Sequence, residues 1–220
     1  MNRFTMAVVA CVGAATAAQA APLYLKITAD NHYALYSSTS NVFSYHGGNE
    51  LGAGGNPGTY NWSLPETYNL NVGDRVFIAA WSDDSVAQGL LAEMWDAQEN
   101  KLHTGIGPWE VYKSGVNRGD GDAHPTTLEI AGHVQAADLG NLWEVPFVGD
   151  ANGVGPWGVV AGIDTSAKWI WWNNPADSDP LRNGDGSGEM LIFSYRVPTP
   201  GSLALAGMGG LLLARRRRGQ

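Results

Sequence analysis

The apolar residues of this chain fall in short runs that turn-forming residues separate. No segment of 12 or more residues between the two termini keeps a 3.6-residue apolar period, which argues against long amphipathic helices. Aromatic and β-branched runs of strand length occupy residues 23–28, 32–36, 66–71, 75–81, 89–96, 168–172 and 190–197. The pattern predicts an all-β fold, an antiparallel β-sandwich or jelly roll.

The segments between these runs are rich in Gly, Pro and Asn. Residues 37–61 are predicted to be loop-like, and residues 97–125 are predicted to be rich in turns. Residues 127–130 are a short strand candidate, whereas residues 132–139 fit either a strand or one helical turn. We therefore expect many short strands and no substantial helix inside the domain.

The C-terminal tail contains two prolines, an apolar run and an arginine cluster, in this order. Two prolines end the last strand. The 14 residues 201–214 are all apolar or small, and four arginines follow them. As a helix the apolar run would reach about 21 Å, short of a hydrocarbon core of about 30 Å. Arginines stay on the cytoplasmic side of a membrane, so they would hold the far end there. The motif residues are Pro198, Thr199, Pro200, Arg215, Arg216, Arg217 and Arg218.

This tail resembles the PEP-CTERM sorting signal, in which a Pro-Glu-Pro motif, a short transmembrane stretch and an arginine cluster occur in this order. Thr199 stands where that family usually has Glu. The resemblance implies recognition by the membrane enzyme exosortase, transient anchoring in the inner membrane, and delivery to the cell surface or the extracellular space. An ordinary membrane anchor and a terminal helix of the domain are the alternatives.

The N-terminus predicts export. Arg3 supplies a positive start, residues 6–18 are apolar or small, and the small residues Ala18 and Ala20 form a cleavage site before Ala21. We therefore expect secretion machinery as a partner and three regions: a signal peptide (1–20), a β-sandwich domain (21–197) and a sorting segment (198–220). A lipoprotein signal ending at Cys11, the single cysteine, is the alternative.

Charge restricts the ligands of the middle region. Five of the 13 basic residues lie in the two signals, which leaves eight against 21 acidic residues, a formal charge of −13. Such a surface repels nucleic acid and anionic lipid. It is compatible with cations and with neutral sugars. All nine tryptophans lie in this region, as expected of an extracellular β-rich domain.

The middle region resembles the galactose-binding-like jelly roll, a fold of modules that accompany glycoside hydrolases. The matching segments are residues 28–36, 61–62, 66–70, 72–74, 76–80 and 89–92, with 168–171 and 191–193 resembling a strand pair that often opens such a module. The resemblance implies a β-sandwich that binds carbohydrate. It also implies that Asp30 and Asn31 bind Ca²⁺ and a sugar.

Candidate binding residues follow from this resemblance and from the tryptophans. Asp30 and Asn31 offer a carboxylate and an amide oxygen for calcium; the alternative is that they brace the turn by bonding backbone N–H groups. Four tryptophans near loops can stack on a sugar or cover the core: Trp62, Trp109, Trp143 and Trp157. Four others are predicted to be core residues: Trp81, Trp95, Trp169 and Trp171.

Catalytic motifs are missing from the sequence. The five histidines lack metal-site spacing, and no zinc-protease, serine-hydrolase or phosphate-loop motif occurs. The acidic loops 117–122 and 177–189 do not follow the EF-hand pattern, so solvated turns are expected there rather than calcium sites. The sequence predicts a non-catalytic exported protein that binds glycans. A structural matrix protein without a ligand and a glycan hydrolase are the alternatives.

Overall fold

Two antiparallel sheets enclose the main core of the protein. The computed structural model describes residues 21–48, 64–83, 87–119, 121–182 and 189–197. Their strands and helix are β1 (Ala21–Asp30), β2 (His32–Thr39), β3 (Val42–Gly48), β4 (Glu66–Val72), β5 (Arg75–Trp81), β6 (Gly89–Asp96), β7 (Lys101–His103), β8 (Glu110–Asn117), α1 (Thr127–Gly140), β9 (Phe147–Ala151), β10 (Lys168–Trp171) and β11 (Glu189–Arg196).

The chain passes between the two sheets several times. Sheet A has the order β4-β1-β6-β10-β9, with β7 beside β6, and sheet B has the order β3-β2-β5-β11-β8. All of these neighbours pair antiparallel. Leu25 and Leu90 of sheet A and Ile78 and Phe193 of sheet B are fully buried in one cluster between the sheets. The prediction of an all-β sandwich is confirmed at this level.

The helix covers the outer face of sheet B. Thr126 accepts a hydrogen bond from the Glu129 N–H at 3.1 Å and begins α1, and Asn141 ends it with a left-handed φ of 51°. Its buried residues, Ile130 and Val134, join a second apolar cluster with side chains of sheet B. The central strands of sheet B, which are β2, β5 and β11, are therefore largely buried on both faces.

The helix corrects the predictions for residues 127–130 and 132–139. Leu128 and Leu139 are both 82% exposed on the outer side of α1, so apolar residues occur on both sides of the helix. The 3.6-residue period is lost, although the cap residues remain legible. Of the described residues, none belongs to a helix long and apolar enough for a membrane crossing.

Two loop predictions are also wrong. The segment 37–61 contains the end of β2 and all of β3, and the segment 97–125 contains β7 and β8. β3 lies at the edge of sheet B with an irregular register, and β8 carries several exposed residues. Their polar composition suits strands at a sheet edge but reads as loop when the sequence stands alone.

Candidate functional site

No helix among the described residues covers the outer face of sheet A, which we call the open face, and its side chains form rows across four strands. The register places Asn69 of β4, Tyr24 of β1, Trp95 of β6 and Lys101 of β7 in one row. The next row contains Thr67, Lys26, Glu93 and His103. Because side chains alternate along a strand, these residues share the face opposite the core. The open face therefore combines aromatic, amide, hydroxyl and charged groups.

An aromatic pair occupies the first row. The rings of Tyr24 and Trp95 are nearly parallel, at 13°, with centroids 5.7 Å apart. Both side chains are half-buried, and the Lys26 ammonium lies 5.9 Å from the centre of the Trp95 ring. The two rings stack on each other and form one apolar unit next to polar groups.

A buried carboxylate anchors the second row. Glu93 is 5% exposed, and its Oε1 lies 2.9 Å from the Lys101 Nζ. Its Oε2 accepts a hydrogen bond from the Asp164 N–H at 2.7 Å. The hydrogen bond with Glu93 raises the pKa of Lys101 above its usual value, so Lys101 stays charged. Both Glu93 oxygens are thus held in place within the face.

The segment 162–166 between β9 and β10 crosses one side of the open face. Lys26 Nζ donates to the Gly162 carbonyl at 2.8 Å, and the Ser166 hydroxyl lies 3.0 Å from His103 Nε2. The hydroxyl and the backbone N–H of Ser166 bond the Asp164 carboxylate and lower its pKa. Three residues of the second row therefore fasten this segment to the sheet.

A groove of about 500 Å³ lies between this segment and the aromatic pair. Its lining residues are Lys26, Glu93, Trp95, Glu99, Lys101, Gly162, Ile163 and Asp164. One wall is an indole, and the others offer carboxylates, ammonium groups and backbone. A sugar ring has an apolar face that can lie on an aromatic ring and hydroxyls that can bond such groups. The groove therefore offers a ligand one aromatic wall and several hydrogen-bonding groups.

The sequence-predicted pair Asp30 and Asn31 lies at the turn between β1 and β2. Asn31 Oδ1 accepts hydrogen bonds from Ser82 Oγ at 2.7 Å and from the Asp83 N–H at 3.2 Å. Asp30 Oδ2 accepts from Trp157 Nε1 at 2.7 Å. Both side chains thus connect this turn to other segments of the chain. Their binding of Ca²⁺ or sugar stays a prediction.

Asp30 also has a perturbed pKa. Burial raises its pKa to about 6, the negative charge of Asp83 adds to this rise, and the Trp157 hydrogen bond opposes it. The described residues contain no group of three or more His, Cys, Asp or Glu side chains placed for a metal ion.

The tryptophans divide between the core and the open face. Trp81, Trp169 and Trp171 are buried as predicted, but Trp95 is not a core residue. Trp109 and Trp157 are 4% and 6% exposed, so neither offers a ring to a ligand. Trp143, half-buried, bonds Asp138 and lies against Arg75.

Several predicted residues lie outside the described part of the chain. Trp62, Ala18 and Ala20 are among them, as are all seven residues of the sorting motif. Ala21 is the first residue of β1. In the acidic loops, Asp122 accepts from the Gly119 N–H, and Glu189 pairs with Lys113 at 2.9 Å. The described acidic side chains thus hold turns and strands.

Sequence reasoning missed the open face, although the signal was present. β1 alternates buried and half-buried side chains over residues 23–26, and the register places Trp95 and Glu93 of β6 beside Tyr24 and Lys26. Comparisons with models of protein families, with curated proteins and with solved structures find no match for this chain.

Proposed function

We propose that this protein is an exported, non-catalytic surface or extracellular-matrix protein that binds neutral polysaccharide on the open face of sheet A. The observation that carries the proposal is the half-buried Tyr24–Trp95 pair beside the groove. A folded domain ordinarily buries such rings, and an indole that lines a groove among polar groups is suited to a sugar. The galactose-binding-like jelly roll is the form of β-sandwich that the sequence resemblance favours.

The charge of the domain supports a neutral ligand. Its formal charge of −13 repels acidic polysaccharides at long range. The two lysines of the open face are already engaged, Lys26 with the Gly162 carbonyl and Lys101 with Glu93. Neither needs an anionic ligand, and both can still donate to sugar hydroxyls.

The second part of the proposal concerns how the protein reaches the cell surface. The tail resembles a PEP-CTERM signal, so exosortase would process the protein after transient membrane anchoring. Removing residues 198–220 should then change the protein's final location and maturation. Unchanged location and maturation in cell fractions would disprove this part, while glycan binding is tested separately.

Retention on immobilised neutral polysaccharides tests the binding. We expect Trp95→Ala and Tyr24→Ala to lose retention. The matched control is Trp172→Ala, because Trp172 is also half-buried and also lies under a lysine, with Lys113 Nζ 3.9 Å from its ring centre. Equal loss for Trp172→Ala and Trp95→Ala would contradict the assignment. Absence of retention in the unmodified protein would favour a structural matrix protein without a ligand.

Parallel assays with and without EDTA test the calcium prediction. If Asp30 and Asn31 hold a calcium ion that the ligand needs, EDTA and Asn31→Ala will both abolish retention. The open face has its own hydrogen-bonding groups, so we expect retention to survive EDTA. Turnover of the polysaccharide during the assay would favour the hydrolase alternative.

A further inference from the structure

The end of the sandwich from which the tail leaves is fixed by backbone contacts. Val197 is the last described residue, and its N–H donates to the Asp74 carbonyl at 2.9 Å. The Asp74 carboxylate accepts from the Ser40 N–H in the turn between β2 and β3. The tail therefore leaves beside this turn and the turn between β4 and β5.

Exposed apolar side chains lie at the same end. Val42 follows the β2–β3 turn and is 68% exposed, Leu139 is 82% exposed, and Leu142 is 47% exposed. A groove of about 510 Å³ connects Asn41, Asp138 and Val197, which links the turn, the end of α1 and the tail exit. We name Val42, Leu139 and Leu142 the tail-end rim. Three large apolar side chains at the exit favour an apolar partner.

The tether to the apolar run is short. Only Pro198, Thr199 and Pro200 separate Val197 from the run 201–214. Four extended steps span about 14 Å at most. A helical run of about 21 Å is shorter than a hydrocarbon core of about 30 Å. Because the arginines at its far end resist burial, the run cannot move deeper to lengthen the tether. Insertion of the run would draw the exit end of the domain against the bilayer.

The charges at this end are paired. Arg75 lies 2.8 Å from Asp138 and 3.2 Å from Glu110, and Arg196 lies 3.9 Å from Glu110. Two arginines thus face three carboxylates around the tail exit, because Asp74 also lines the groove there. The acidic domain as a whole is repelled by anionic lipid, so a zwitterionic surface suits this end.

We propose that the tail-end rim rests at headgroup level on a zwitterionic bilayer while the apolar run is inserted. The inference depends on the proposed membrane anchoring of the tail and adds an orientation to it. α1 then points its C-terminal end at the membrane. Its N-terminal end, with Leu128, lies about 16 Å further along the helix. The open face of sheet A stays exposed to polysaccharide.

Site-directed fluorescence tests this orientation with a matched pair. Leu128 and Leu139 lie on the same helix and are equally exposed. Each is replaced by cysteine in the full chain with Cys11→Ala, labelled with an environment-sensitive dye, and reconstituted in phosphatidylcholine vesicles that carry headgroup nitroxides. We expect the Leu139→Cys probe to shift its emission to shorter wavelength and to lose most of its intensity. The Leu128→Cys probe should change little.

The other outcomes contradict either the proposed orientation or the proposed membrane anchoring. Equal responses of the two probes on vesicle-bound protein would overturn the orientation. A Leu139→Cys probe that is already shielded without vesicles would also overturn it, because the tail itself would then cover the rim. If the full chain and a chain ending at Val197 bind vesicles equally, the proposed tail anchoring fails, whatever the probes show. Val42→Cys provides a second probe should labelling at the helix disturb folding.

Discussion

The two outer faces of the sandwich differ in what covers them. Sheet B carries α1, which buries Phe77 and Ile192 under Ile130 and Val134. Sheet A has no helix among its described neighbours, and its outer residues are polar or aromatic. Stability explains the side chains of the covered face, because they lose contact with water. It does not explain two aromatic rings on the open face, which is why we assign the ligand there.

The sharpest test of the covered face is Ile130→Ala. Ile130 is fully buried, so removing its side chain should cost about 3 kcal/mol of unfolding free energy. Leu139→Ala on the same helix should stay within about 0.5 kcal/mol, because Leu139 is mostly exposed. Urea unfolding of the two variants measures the difference. Similar losses would mean that α1 does not pack as described.

The second test concerns the charged end of the covered face. Arg75 is 7% exposed, donates to Ser194 and Asp138, and lies between the rings of Phe77 and Trp143. Arg75→Met should cost about 2 kcal/mol, because buried Ser194 loses its donor and the carboxylates lose their cation.

Arg196→Met is the control for this variant. Its side chain is 63% exposed and 3.9 Å from Glu110, so the change should cost under about 0.5 kcal/mol. The same urea transitions give both values. A larger loss for Arg196→Met than for Arg75→Met would show that the exposed pair, and not the buried guanidinium, holds this end together.

A third test uses one carboxylate from β1 of sheet A and one from α1, the helix that covers sheet B. The folded-state pKa of Asp30 is raised to about 6, so the native protein binds a proton that the unfolded chain releases near pH 4. Stability from this group falls as pH rises between these values. Asp30→Asn should match the unmodified protein at pH 4 and exceed it by about 2 kcal/mol at pH 7.

Asp138→Asn should show the opposite sign. Burial tends to raise the pKa of Asp138, but the bonds from Arg75 and Trp143 outweigh burial and lower it. Its stabilising contribution is therefore present above the unfolded-state pKa and is lost as pH falls through the folded-state value. Thermal unfolding from pH 3 to 8 distinguishes the two variants. The same pH dependence in both variants would refute the opposite pKa shifts of Asp30 and Asp138.

The smallest expected difference compares two threonines. Thr126→Ala should cost about 1 kcal/mol, since Thr126 caps α1. Thr67→Ala on the open face should change stability by less than about 0.5 kcal/mol, because its side chain is exposed. Differential scanning calorimetry of both variants measures these effects. A loss at Thr67 equal to that at Thr126 would give the open face a structural role.

The sequence predicted the central strands because they carry continuous apolar runs. Arg75–Trp81 and Glu189–Arg196 lie between the main core and α1, so nearly all of their residues are buried and the pattern is unambiguous. The edge strand Val42–Gly48 was missed because half of its residues face solvent. Tertiary context decides such segments, and local composition does not.

The helix and the site were missed for related reasons. Leu128 and Leu139 hide the apolar period of α1 by facing outward. Trp95 was placed in the core because its strand appeared to be uniformly apolar, although Glu93 two residues earlier marks the outward side. Which neighbours cover a face depends on strand order, and strand order joins residues far apart in the chain. Asp30 and Asn31 lie at a turn as predicted, and the Ca²⁺ and sugar binding that the resemblance implies stays a prediction.

Indole N–H resonances give the most direct test of the open face. The nine tryptophans place one probe in almost every region of the domain. Titration with a soluble neutral oligosaccharide should shift the Trp95 resonance and leave those of Trp143 and Trp172 in place. A shift confined to Trp62, or to Trp143 and Trp172 with Trp95 unchanged, would contradict the assignment of the ligand to sheet A.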